Sequence, residues 1–152
     1  MDEVDRKILI ALRENSRRSA TDISKRVNLS VAAVIERINK MENIGIIQQY
    51  TLVVNQHKIG NDVMALMEVS LEHPKYYDEF TDKMKSMEDI EACHYVTGDY
   101  DFMIKINTRS SEELELLHRK IKSIRGVSGT KTFFVLKEIK NTLAPVPEVK
   151  KI

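Results

Sequence analysis

The sequence predicts an α+β chain in two parts, a winged helix-turn-helix followed by a ferredoxin-like β-α-β-β-α-β sheet domain. Three observations predict it. Apolar residues recur at helical spacing in three short, capped segments before Gly45. A helical stripe then repeats at an offset of 37 residues, with Tyr77, Phe80, Met84 and Met87 returning as Leu114, Leu117, Ile121 and Ile124. Runs that alternate apolar and polar residues flank both of those helices. The expected divisions are 1–54 for the first domain, 55–61 for a polar linker, 62–140 for the second domain and 141–152 for a tail.

Taken in order, Val4, Ile8, Leu9 and Leu12 make one apolar stripe, so Asp2 to Glu14 reads as an amphipathic helix whose acidic start suits the helix dipole. Ser19, with Asp22 three residues on, has the capping-box arrangement and opens a short second helix carrying Ala20, Ile23 and Val27. After a turn at Asn28 and Leu29, Ser30 caps a third helix in which Val31, Val34, Ile38 and Met41 line one face. Gly45 is its expected stop. The run "IIQQYTLVV" reads as a strand, either a wing or a connection. Beyond the linker, Ala65, Met67, Val69 and Leu71 alternate on one strand and Phe102, Ile104 and Ile106 on another. "IEACHYVT" and "VSGTKTFFVLKEI" complete the four strands, with both helices on one face of the sheet.

Composition narrows the function classes. The 152 residues are 42% hydrophobic and 31% charged, which is ordinary for a globular chain. No signal-peptide pattern and no apolar run of about 20 residues is present, so the expected location is cytoplasmic with no membrane partner. Cys93 stands alone and His57, His73, His94 and His118 are scattered, so no metal site and no cofactor is expected. Charge is uneven: residues 1–60 carry 10 Lys/Arg against 7 Asp/Glu, and the remainder 14 against 16. A basic first part and an acidic second part fit separate tasks.

On the third helix, projection at about 100° per residue turns Ala32, Ala33, Glu36, Asn39 and Lys40 away from the apolar stripe, with Arg37 at its margin. A short helix, a tight turn and a capped helix with a small, polar outer face are what a groove-entering motif requires. Any three-helix bundle shares these stripes. The residues placed at double-stranded DNA are Arg17, Arg18, Ser19, Ser30, Ala32, Ala33, Glu36, Arg37, Asn39 and Lys40. Arg17, Arg18, Lys40 and the Ser30 hydroxyl suit phosphates, and Glu36 and Asn39 can approach base edges. Arg37 has a second reading, placed ahead of the first, as a partner for Asp5 that joins two helices. Glu36 either accepts from a cytosine amino group or is simply solvated.

"MDEVDRKIL" and "LSVAAVIERINKMENIGIIQQY" resemble the amino-terminal domain of the Lrp/AsnC (leucine-responsive, asparagine-responsive) transcription regulators, through Asp5, Ile8, Leu9, Leu29, Ser30, Val34, Arg37, Gly45 and Ile47. The second domain carries the other half of the resemblance in "YVTGDYDFMIKI". Read alone, that stretch fits hairpin chemistry, since Gly98 permits a tight turn and Asp99 or Asp101 can bond nearby amides. Two carboxylates without a third acid or a histidine are too few for a metal, and no neighbouring cleft announces a catalytic pair. The resemblance implies instead the signature turn of the family's RAM (ACT-like) effector domain, with Thr97, Gly98, Asp99, Tyr100 and Asp101 holding a small effector, usually an amino acid. It also implies a homodimer assembling into a tetramer or octamer.

The function expected is thus a sequence-specific transcriptional regulator, not an enzyme, whose assembly on DNA responds to an effector. Two alternatives stay open. Haem-pathway decarboxylases resemble the same two-domain plan, so a tetrapyrrole (sirohaem-type) decarboxylase would use His94 or His118 with Arg109 or Arg125. A DNA-organising protein without effector control would use the first domain alone. Met64, Met67, Met84, Met87 and Met103 read as core filler before they read as a selective lining.

Overall fold

A computed structural model describes residues 1–148 and divides them into two compact units, one of residues 1–53 with the segment from Lys140 onward, the other of residues 54–139. The tail expected to stand apart therefore groups with the first unit. Its attachment there is concrete: Arg6 Nε donates to the Pro147 carbonyl at 3.0 Å.

The first unit holds α1 (Glu3–Glu14), α2 (Ala20–Val27) and α3 (Val31–Asn43). Each start is capped locally. Asp2 accepts from the Asp5 amide and Asp5 returns the bond to the Asp2 amide, while Ser19 and Ser30 accept from Asp22 and Ala33. The ends are as specific. Asn28 adopts φ 55° to close α2, and Gly45, at φ 74°, lets the Ile46 amide reach back to the Met41 carbonyl at 2.8 Å. Ile8, Ala11, Leu12, Ile23, Val34 and Met41 form the core. Val31, expected on that inner face, is 37% exposed, because the first residue of α3 projects beyond the packing of α1 and α2.

The expected wing is absent: among the described residues, 46–54 form no strand. The β-prone pattern is there, but a strand needs a neighbouring strand, and the Ile46 and Ile47 amides go instead to the Met41 carbonyl at the end of α3. Ile46, Tyr50, Leu52, Val53 and Val54 are exposed as a result. Tyr50 gives its hydroxyl to Glu42 at 2.7 Å, and partial burial, then that carboxylate, push its phenol up to about 12.

In the second unit, β1 (Val63–Leu71), α4 (Tyr77–Lys85), β2 (Ile90–Tyr95), β3 (Phe102–Thr108), α5 (Ser111–Lys122) and β4 (Val127–Phe134) follow in the expected order. The sheet runs β2-β3-β1-β4, antiparallel throughout. Ala65, Met67, Val69, Phe102, Ile104 and Ile106 pack beneath Phe80, Met84, Met87, Leu114, Leu117 and Ile121. Each fully buried side chain of this kind contributes roughly 1.5–3 kcal/mol. Met67, Met84 and Met87 are core as expected, whereas Met64 and Met103 lie half-buried at positions of opposite parity on β1 and β3. β4 ends at Phe134, shorter than its pattern, although the Val135 amide just beyond it still donates to the Met64 carbonyl of β1 at 2.9 Å.

Candidate functional site

Two features gather the residues singled out above. In the first, α2 and α3 are joined by only Asn28, Leu29 and Ser30. Asn28 takes the left-handed conformation in which glycine is more usual, and both its own amide and that of Leu29 return to the Ser24 carbonyl. Ser30 then starts α3 at once, its Oγ 3.2 Å from the Ala33 amide. The angle between the helices is thus set by three residues and by Ile23 and Val34 packing beneath them.

Along α3, Ala32, Glu36, Asn39 and Lys40 are exposed and Ala33 is half-buried, as the projection required. Arg37 is turned inward. One of its nitrogens, Nη1, lies 2.7 Å from both Asp2 Oδ2 and Asp5 Oδ1, and these two acids hold its guanidinium above its ordinary range. It joins α3 to α1, the reading placed ahead from sequence. Arg18 reaches Glu14 at 3.4 Å, and the same carboxylate takes Arg26 at 2.8 Å. Arg17 is exposed, and among the described residues its side chain makes no ion pair. The Ser19 hydroxyl is spent on Asp22, donating to Oδ2 at 2.7 Å.

Sequence reasoning missed Ile35. It is 46% exposed on α3, away from the Val34 and Met41 core, so the outer face is not wholly small and polar. The signal was available, because an isoleucine one residue past a buried valine on a helix turns about 100° off its stripe.

The second feature is the turn joining β2 to β3. Val96 donates to the Asp101 carbonyl at 2.9 Å, closing a loop in which Thr97, Gly98 and Asp99 are exposed and Tyr100 is half-buried. Gly98 has φ 129°, a region that costs any side chain strain. The two aspartates part company here. Asp101 is tied to β1, its amide donating to Val69 O at 3.1 Å and its Oδ2 accepting from the Leu71 amide at 2.7 Å. Asp99 points to solvent. Among the described residues, the amides of Thr97, Gly98, Asp99 and Tyr100 donate no hydrogen bond, leaving four consecutive donors on one exposed turn.

Two of the best-formed cavities among the described residues lie in this unit, of about 680 and 600 Å3, and neither is lined by residues 97–101. The smaller one reaches the turn's shoulders, Tyr95 and Phe102, whose rings lie 5.3 Å apart, with Tyr77 5.1 Å from Tyr95. Cys93 also lines it, and burial pushes its thiol up, away from the reactive thiolate. Elsewhere on the sheet domain, His118 Nε2 lies 2.9 Å from Thr130 Oγ1, a structural partner. Among the described residues, no group of three or more His, Cys, Asp or Glu side chains could hold a metal, and no helix is long and apolar enough to cross a membrane.

A three-helix unit whose third helix follows a tight turn and keeps an exposed outer face, followed by a four-stranded domain of this topology, is the build of a DNA-binding regulator that carries a ligand domain. The comparisons agree for both parts. Residues 1–42 match the AsnC-type helix-turn-helix domain and residues 64–145 the Lrp/AsnC ligand binding domain. The leucine-responsive regulatory protein of Escherichia coli K12 is 32% identical over 145 residues, covering 93% of this chain and 88% of that protein. The solved structure of E. coli AsnC superposes with a TM-score of 0.87 at 31% identity, covering 95% of this chain and 99% of that one. A transcriptional regulator of Neisseria meningitidis, solved as its L-Met complex, superposes at 0.89 with 27% identity, covering 93% and 94%.

The chain belongs to the Lrp/AsnC family of DNA-binding transcription regulators with a ligand-binding domain. Its relatives are regulators, not enzymes, and the decarboxylase alternative falls away.

Proposed function

We propose that this regulator binds duplex DNA through α3 and that an amino acid bound at the β2–β3 turn changes how its dimers assemble. The observation that carries the effector reading is the row of four free amides from Thr97 to Tyr100. Such amides suit an α-carboxylate, Asp99 is free to meet the ammonium, and Thr97 and Tyr100 add hydroxyls. Asp101 acts through the turn, as a positioning residue. A likeness to a regulator solved with L-methionine supports the ligand class. The turn is open on one side in a single chain, so a neighbouring subunit completes the site.

At the DNA, Arg17, Arg18, Lys40 and Ser30 face phosphates, while Ala32, Ala33, Ile35, Glu36 and Asn39 face the groove, with Ile35 suited to a thymine methyl group. Ser19 and Arg37 hold the motif in shape. The sheet supports dimerisation: both helices cover one face, and Met64, Leu66, Met103 and Phe133 belong to the other. Pairing two such faces sets the two α3 helices at one separation, and dimers then gather into a tetramer or octamer.

The test is thermal unfolding of the full chain with each standard amino acid, in the parent and in Thr97→Trp. That variant blocks the turn without the strain a side chain meets at Gly98. A ligand at about 100 times its Kd adds roughly 2.7 kcal/mol to stability. A shift with one or a few amino acids that is lost in Thr97→Trp supports the site. An equal shift in both proteins places the ligand elsewhere.

A further inference from the structure

The larger of these two cavities lies at the other end of the same strands. β3 runs from the turn at Phe102 to the cavity at Thr108, so the two places are roughly 20 Å apart along the strand. At about 680 Å3 its volume falls within the roughly 300–1,000 Å3 typical of small-molecule sites. One wall is α5, where Glu113, Leu116, Leu117 and Lys120 recur at helical spacing. Glu88, Asp89 and Glu91, from the segment leading into and opening β2, also line the cleft, as do Asn107 and Thr108 at the end of β3.

The charges in this cleft divide into two groups. Glu91 is engaged by Lys105 and Asn107, and Glu113 accepts from the Arg109 amide at 2.9 Å. Four others are uncommitted. Among the described residues, the side chains of Glu88, Asp89, Arg109 and Lys120 enter none of the ion pairs. Two free carboxylates just before β2 and two free cations, one after β3 and one on α5, thus line one cleft. Leu116, 60% exposed, supplies an apolar surface on the α5 wall that the fold does not use.

We infer that this cleft is a second ligand site, for a small zwitterion of the amino-acid type. Its carboxylate meets Arg109 and Lys120, its ammonium meets Glu88 and Asp89, and its side chain lies on Leu116. A simple anion would leave Glu88 and Asp89 unpaired, and a simple cation would leave Arg109 and Lys120 unpaired. Only a ligand with both charges answers all four groups. This site is independent of the β2–β3 turn and stands whether or not the turn binds an effector.

Calorimetric titration of each standard amino acid into the full chain tests it, using Thr97→Trp, Arg109→Ala with Lys120→Ala, and Glu88→Gln with Asp89→Asn. All the altered side chains in the cleft are exposed, and unfolding curves confirm that each variant folds. At least one amino acid should still bind Thr97→Trp. The same amino acid should bind each cleft variant about tenfold more weakly or worse, the usual consequence of losing a bond to a charged group. Its N-acetyl and carboxamide derivatives, each lacking one charge, should lose affinity for Thr97→Trp as well. Absence of any amino-acid binding to Thr97→Trp overturns the inference, and so does equal binding by both cleft variants.

Discussion

Removing the Asp101 side chain while leaving Asp99 in place separates the two acids of the turn. In Asp101→Ala the Leu71 amide loses its acceptor, Oδ2 at 2.7 Å, in a partly buried setting. A hydrogen bond to a charged group contributes roughly 1.5–3 kcal/mol, and partial exposure places this one near about 1.5 kcal/mol. For a domain of this size each kcal/mol moves Tm by about 4–8 °C, so the loss should approach about 6–12 °C. Asp101→Asn keeps a carbonyl acceptor and should lose less than half of that. Asp99→Ala, exposed and without a partner, should stay within about 0.5 kcal/mol of the parent. Thermal unfolding measures all three, and hydrogen exchange at the Leu71 amide locates the effect. Equal melting of Asp99→Ala and Asp101→Ala, or unchanged exchange at Leu71, would refute the assignment of Asp101 as the tie between turn and β1.

Three further outcomes follow from the same geometry. Gly126 has φ 86°, and a Cβ there would lie 2.2 Å from Tyr76 Cγ, so Gly126→Ala should cost about 2–4 kcal/mol in denaturant unfolding, combining left-handed strain with displacement of the ring. In a DNA-binding titration against salt, Arg18→Ala with Lys40→Ala should flatten the log–log slope by up to about 1.8, near 0.9 for each phosphate no longer neutralised; an unchanged slope removes both from the phosphate set. The Asp5 amide and then Arg37 hold the Asp2 carboxyl below its usual range, so its contribution is present above the unfolded pKa and is lost as pH falls through the folded one. Below about pH 4 the parent should therefore lose Tm faster than Asp2→Asn, which keeps the cap but gives up the charge.

What the sequence alone determined about this protein is whatever a few neighbouring residues decide. Ser19 and Ser30 marked helix starts and Gly45 marked a stop, because caps and left-handed turns act over three or four residues. The stripes Phe80, Met84, Met87 and Leu114, Leu117, Ile121 announced two helices of one core, because burial imposes a period of 3.6 on helices and 2 on strands. The family motifs add the same kind of local information, and with them the DNA-binding class is legible in the sequence. Only the tertiary structure decided the rest. It distinguished Asp101 from Asp99, which look alike in "TGDYD", because the difference is an amide 30 residues away on β1. It showed Arg37 between Asp2 and Asp5, exposed Ile35, and left 46–54 without a ladder partner. It brought Glu88, Asp89, Arg109 and Lys120 around one cleft, although they are scattered in sequence. Periodicity reports which face of an element is buried; what a polar side chain meets depends on segments far apart in the chain coming together, and folding alone achieves that.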